Sequence, residues 1–202
     1  RDTARGMSPE TQTVTRFAPS PTGRLHLGHA YSALFAAEAS GPEGRCLLRV
    51  EDIDIGRCRP EFEAGIYEDL RWLGLNWEMP VRRQSDHMAD YAAALERLEA
   101  EGLLFPCFCT RKDLQRQAAE SASAPHGPDG ALYPGTCRDL STAEAADRKA
   151  AGEAFAMRLD MTVAVDRAGP LTFHDRTRGE NTVDPTGCGD VVLARKDVAT
   201  SY

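Results

Sequence analysis

The chain has 202 residues, 42% hydrophobic and 27% charged, which suits one large soluble domain or a domain carrying an insertion. A formal net charge of −7 argues against a protein that grips nucleic acid mainly through phosphates, and leaves Arg82, Arg83, Arg111, Lys112 and Arg116 as candidates for one local basic face. No apolar run reaches the ~18 residues of a membrane span and the polar start lacks a secretory apolar stretch, so a cytoplasmic protein without membrane contact is expected.

Residues 1–12 are read as a disordered or vector-derived start. "TVTRF" (13–17) reads as a buried strand, residues 28–39 as a helix and "CLLRVEDID" (46–54) as the next strand. Strand, glycine-bearing turn, helix and strand make a βαβ unit, hence a parallel sheet with helical cover. Pro60 suits a first helical position, and Phe62, Ile66, Leu70 and Leu73 recur at helical spacing, so 60–74 is an amphipathic helix. Tyr91, Leu95 and Leu98 mark another at about 86–101, stopped by Gly102. After Leu104 the pattern changes. A helix opening in "CFCTRKDLQRQ" gives way to the loop composition "SASAPHGPDG". Ser141 and Glu144 form a capping box ahead of the helix "AEAADRKAA". Short strands are then expected at 154–161, 163–167, 171–175 and 190–195, which describes an α+β module inserted on the α/β core.

The chemistry concentrates in "RFAPSPTGRLHLGHA" (16–30). Pro19 and Pro21 fix φ and withhold two backbone donors, while Gly23 and Gly28 permit close approach to the backbone. The helix beginning near Gly28 presents unpaired N–H groups and a positive dipole end, a ready anion site. His26 and His29 stand at this end and can donate hydrogen bonds to phosphate oxygens as negative charge grows. Arg16 and Glu51 lie at the ends of the two predicted strands, at the edge of a parallel sheet where ligands bind. They can serve a ligand carboxylate and ammonium respectively, or pair with each other.

The six cysteines do not make a small secreted disulfide scaffold. Cys46, Cys58 and Cys188 are isolated and are read as free thiols in a reducing compartment. Cys107, Cys109 and Cys137 have metal-like spacing, and a tetrahedral structural Zn²⁺ site takes four ligands. Tyr133, His126 and water compete for the fourth place, and on ligand chemistry alone imidazole leads.

The stretch 16–30 resembles the first signature of class I aminoacyl-tRNA synthetases in its glutamyl form, and "LLRVEDID" is similar to that group's second segment. The resemblance spans nearly all of 13–202 and implies a Rossmann-like catalytic core that makes an aminoacyl-adenylate from Mg-ATP. It implies that His26 and His29 are catalytic and that they bind ATP together with Pro19, Thr22, Gly23 and Gly28. Arg16, Ala18, Ser20 and Glu51 fall on glutamate-binding positions, and Tyr202 resembles the start of a further glutamate-contacting segment. "CFC…YPGTC" is similar to the zinc set of the short, glutamyl-queuosine branch of this family, which implies Cys107, Cys109, Tyr133 and Cys137 as ligands, with Tyr133 rather than His126.

The expected fold is therefore α/β: a Rossmann-like parallel sheet with an inserted α+β zinc-binding module. The expected division is 13–104 for the first half of the core, 105–180 for the inserted module and 181–202 for an incomplete return to the core. The family's second, lysine-rich signature has no counterpart around Lys112, Lys149 or Lys196, so a truncated chain is expected. The resemblance implies a monomer that activates L-glutamate and transfers it to queuosine in tRNA(Asp). The alternatives are the catalytic half of an enzyme charging tRNA(Glu), or a non-catalytic zinc-containing remnant that binds RNA or a partner.

Overall fold

In the computed structural model the described residues are 12–120, 126–127, 130–198 and 200. Contacts divide the chain into two units, to His87 and from Met88. The first contains β1 (Val14–Phe17), α1 (Leu27–Ser40), β2 (Arg45–Val50), α2 (Pro60–Trp72), β3 (Arg82–Arg83) and a 3₁₀ turn, Gln84–His87. Its sheet runs in the order β1-β2-β3, both pairings parallel, with Arg16 opposite Leu47 and Val50 opposite Arg83. The expected βαβ unit is present and is extended by a second crossover through α2.

Pro60 occupies the first turn of α2, with Glu61 and Glu63 at the positive end of the helix dipole and Arg71 at the negative end. Ile66 and Leu70, four residues apart, bury against Phe17, Leu48 and Ala33, so α2 and α1 both pack on one sheet face. Helix α1 buries little itself. Leu27, Tyr31, Leu34 and Phe35 stay exposed, and Ala33 is its buried residue.

The second unit contains α3 (Met88–Ala100), β4 (Leu104–Cys107), α4 (Arg111–Glu120), β5 (His126–Gly127), β6 (Gly130–Ala131), α5 (Thr142–Ala150), β7 (Ala156–Leu159), α6 (Met161–Ala168), β8 (Leu171–Asp175), β9 (Gly179–Val183) and β10 (Val192–Ala194). Its main sheet has the order β10-β7-β4, antiparallel throughout, and β8–β9 is a separate hairpin. Side chains alternate along β4. Leu104 joins Met157 and Ala194, with Leu95 and Leu98 of α3 against them, while Phe105 and Cys107 join Phe108 and Cys137. The capping box at Ser141 forms as expected: Ser141 Oγ accepts from Glu144 N at 3.2 Å, and Glu144 accepts from Ser141 N at 2.9 Å.

Residues 163–167, expected as a strand, lie inside α6. The Asp160 carboxylate caps that helix by accepting from Val163 N at 3.1 Å, and Gly169, at φ +68°, closes its other end. The caps outweigh the strand preference of Thr162, Val163 and Val165. Strand β9 was not anticipated, because Gly179, Glu180 and Asn181 are poor strand formers and are ordered by pairing with β8. Among the described residues no helix is long and apolar enough to cross a membrane.

Candidate functional site

The turn between β1 and α1 is held by its own carbonyls. Pro19 O accepts from Glu51 N and Pro21 O from Arg59 N, both at 3.0 Å, and Ser20 Oγ donates to Glu51 O at 2.9 Å. The two prolines thus contribute acceptors to the next strand end and helix start while exposing no unpaired donor. A Cβ added at Gly23 would meet nothing within 4 Å, so the backbone there is open to a ligand.

The two histidines cap α1 reciprocally. His26 Nδ1 accepts from Gly28 N at 3.1 Å, and His29 Nδ1 accepts from His26 N at 3.2 Å, with the rings 3.8 Å apart. An imidazole that accepts at Nδ1 is neutral and carries its proton on Nε2, so each ring keeps one N–H donor beyond its capping bond. Burial lowers the His29 pKa below its ordinary value and the neighbouring His26 adds to this, which favours that neutral form. Gly28 is needed for close approach, since a Cβ there would lie 3.1 Å from His26 Cε1. A helix N-terminus, two imidazole donors and an open glycine backbone are what a polyphosphate requires.

Arg16 and Glu51 do not pair with each other. Glu51 accepts from Arg49 Nη2, and Arg16 makes no ion pair among the described residues. Arg16 instead lines a cleft of about 290 Å³ with Leu47, Arg49, Met79 and Arg82. Arg49 therefore links the two predicted residues, since it shares the cleft with Arg16 and holds the Glu51 carboxylate. Sequence reading missed Arg49, although its place two residues before Glu51 puts both on one sheet face. Ala18 and Ser20 lie in the same turn, half-buried. Tyr202 lies outside the described residues.

Asp52, next to Glu51, is held by local hydrogen bonds. It is 6% exposed and accepts from Ser85 N at 2.9 Å and Ser85 Oγ at 2.5 Å. Arg83 reaches both Asp52 (3.2 Å) and Glu63 (3.1 Å), so the charge of this member of the candidate basic face is matched by two carboxylates. Arg116 is likewise engaged, with Asp113 at 3.0 Å. Tyr67 donates to Glu63 at 2.9 Å, and burial, with that bond, pushes its pKa up to about 12.

The three clustered cysteines meet: the Sγ atoms of Cys107, Cys109 and Cys137 lie within 4.8 Å of one another, and Cys109 and Cys137 are 3.6 Å apart. Zn–S bonds of about 2.3 Å in a tetrahedron put sulfurs about 3.8 Å apart, so the set fits a zinc ion. Cys107 and Cys109 come from the end of β4, and Cys137 is delivered by the turn "YPGTC". There Pro134 precedes Gly135 at φ +86°, the arrangement of a type II turn, and Arg138 N donates to Gly135 O at 2.8 Å. Tyr133 Oη accepts from Cys137 N at 2.7 Å, which brings the phenol oxygen to the sulfurs. Burial, then hydrogen bonding to Cys107, drives the Tyr133 hydroxyl pKa well up. Burial also pushes the Cys137 thiol up, but hydrogen bonds from Tyr133 and the Phe108 backbone outweigh it and leave it below its ordinary value. Cys109 goes the other way, to about 11, chiefly through burial and then its bond with Cys137. Of Cys109 and Cys137, the surroundings thus make Cys137 the easier to ionise. The backbone of His126 lies in β5, and its side chain is outside the described residues. Cys46, Cys58 and Cys188, read as free thiols, form no disulfide.

Comparison with known proteins bears on the whole chain. The sequence model of the family "tRNA synthetases class I (E and Q), catalytic domain" matches residues 12–202. A Glutamyl-Q tRNA(Asp) synthetase of Rhodobacter capsulatus is 47% identical over 200 residues, covering 94% of this chain and 69% of the relative. One of Nocardia farcinica is 47% identical over 190 residues, covering 93% of this chain and 56% of the relative. The crystal structure of a glutamate tRNA ligase from Elizabethkingia meningosepticum, in complex with its amino acid, superimposes with a TM-score of 0.70 at 26% identity, covering 95% of this chain and 40% of that one. The chain therefore spans between 40% and 69% of the length of these proteins. With the parallel-sheet core and the antiparallel module in place, these matches show that the chain belongs to the class I (E and Q) tRNA synthetase catalytic-domain family.

Proposed function

We propose that the chain is the catalytic part of a cytoplasmic, monomeric enzyme that activates L-glutamate with Mg-ATP and transfers it to queuosine in the anticodon of tRNA(Asp). The observation that carries the adenylate step is the reciprocal capping of α1 by His26 and His29, which leaves two neutral N–H donors at a helix N-terminus. ATP lies along Pro19, Thr22, Gly23 and Gly28, with the imidazole Nε2–H groups on its phosphates. Arg16 takes a glutamate carboxylate, Glu51 takes the ammonium, and Ala18 and Ser20 complete the pocket. Arg49 holds the Glu51 carboxylate in place.

A glutamate carboxylate oxygen attacks the α-phosphorus. The bond to the β,γ-phosphates breaks, pyrophosphate leaves with that electron pair, and glutamyl-adenylate remains. A hydroxyl of the queuosine ring then attacks the acyl carbon, loses its proton, and AMP departs. No step needs an enzyme nucleophile, so positioning and electrostatics supply the rate. Zn²⁺ held by Cys107, Cys109, Cys137 and Tyr133 supplies a structural crosslink to the module.

Support for queuosine as acceptor comes from the relatives at 47% identity, named for it. The second reading, charging of tRNA(Glu), is supported by a Glutamate–tRNA ligase 1 of Halorhodospira halophila at 39% identity over 204 residues. Two measurements on the protein in its full natural length separate them. Glutamate-dependent ATP–pyrophosphate exchange without RNA, followed by transfer of labelled glutamate to queuosine-containing tRNA(Asp), is the expected result. Exchange that appears only on adding tRNA(Glu) would establish the second reading instead.

A further inference from the structure

We infer that Arg158 is the positioning residue of the cysteine–tyrosine metal centre, holding the Tyr133 ring in place and balancing the negative charge of the ligand set. The inference rests on the zinc reading above. Arg158 sits in β7 directly opposite Phe105 of β4. Cross-strand partners share a sheet face, and both of these reach the same ring. The Arg158 guanidinium carbon lies 4.0 Å from the Tyr133 ring centroid, and Phe105 stacks on that ring at 6.1 Å and 25°. Tyr133 is thus laid against a two-residue platform, and its hydroxyl is held at the sulfurs by Cys137 N at 2.7 Å.

The charge on Arg158 has no obvious other purpose. Its Nη1 donates to the backbone carbonyl of Asp190 at 2.6 Å, its buried Nε has no hydrogen-bond partner, and no carboxylate pairs with it among the described residues. Arg148, the other guanidinium over an aromatic ring of this cluster, is 4.2 Å from the Phe108 centroid; it pairs with Glu153 at 2.5 Å and also feels Cys137 and Cys109, so it shares in balancing the sulfurs but does not touch the Tyr133 ring. A dication bound by three thiolates and an oxygen donor keeps net negative charge in a buried place. A cation stacked on one ligand offsets that cost without competing for the metal. Partners that orient metal ligands in this way are worth about 10–100-fold in metal affinity.

The test is zinc affinity by competition with a chromophoric chelator, for wild type, Arg158→Met and Arg158→Lys, with circular dichroism recording the fold. Arg158→Met is expected to bind zinc about 10–100-fold more weakly. Arg158→Lys, which keeps the charge and loses the planar stack, should recover part of the loss. In the cobalt-substituted proteins the thiolate bands should persist in Arg158→Met while the ligand-field bands shift, a change that general loosening of the sheet would not confine to one ligand. Should Arg158→Met fail to fold, the same comparison is read on Arg158→Lys, expected several-fold weaker than wild type. Affinity within twofold of wild type in the folded variants overturns the role of Arg158 alone. A wild-type protein that binds no zinc overturns the metal reading, and this role with it.

Discussion

Replacing Asp190 with alanine is expected to destabilise the second unit by about 2–3 kcal/mol, because it leaves the Met161 N–H without its acceptor and Arg138, whose side chain is one-third exposed, without its carboxylate. The Asp190 side chain is 1% exposed and pairs with Arg138, whose Nε lies 3.0 Å from Oδ2. Its other oxygen accepts from Met161 N at 3.1 Å. Alanine would strand both donors at once. Asparagine keeps an acceptor for Met161 and loses the charge, so Asp190→Asn should cost less than Asp190→Ala. Chemical unfolding followed by circular dichroism reads both, and a loss below about 1 kcal/mol in Asp190→Ala, the scale of one ordinary hydrogen bond, would show that the pair does not hold the unit. Because Arg138 directly follows Cys137, loss of Asp190 should also loosen the turn that delivers that sulfur.

Removing the His26 imidazole is expected to lower the rate of glutamate-dependent pyrophosphate exchange by about 10²–10³, the usual cost of one preorganised donor to a developing negative charge. The same side chain also caps α1, so alanine confounds two effects. Asparagine and glutamine separate them. His26→Asn should restore the cap, since asparagine is among the best N-cap residues, yet lack a donor at the Nε2 position and stay slow. His26→Gln reaches that position and should recover part of the rate. Full activity in His26→Asn would assign His26 to the helix end alone.

Much of this was legible in residue types and spacing. Ile66 and Leu70 announced α2, Ser141 and Glu144 announced α5, and the strand–turn–helix at 14–40 announced the parallel sheet. Local chemistry decides such features, so a single stretch carries them. The misreading at 163–167 arose where two signals conflicted: β-branched residues pointed to a strand, and a cap three residues upstream decided for a helix. Arg158 and Asp190 were not legible as structural keys, because each acts through a partner on another strand or turn, whereas Arg49, two residues before Glu51, could have been read as its partner. The approach of Cys137 to Cys107 and Cys109 was legible from spacing, whereas the guanidinium laid on Tyr133 depends on the register of β4 with β7.

Arg16 tests most directly the proposal that the cleft it lines with Leu47, Arg49 and Met79 binds glutamate for attack on ATP. It lines that cleft and makes no ion pair among the described residues, whereas Arg49 is held by Glu51. Loss of its charge-assisted bond should cost roughly 1.5–3 kcal/mol. In the protein of full natural length, Arg16→Ala is therefore expected to lower kcat/KM for glutamate in the exchange reaction by about ten- to a hundredfold, with the KM for ATP little changed. Exchange by Arg16→Ala as efficient as wild type at low glutamate would contradict the account.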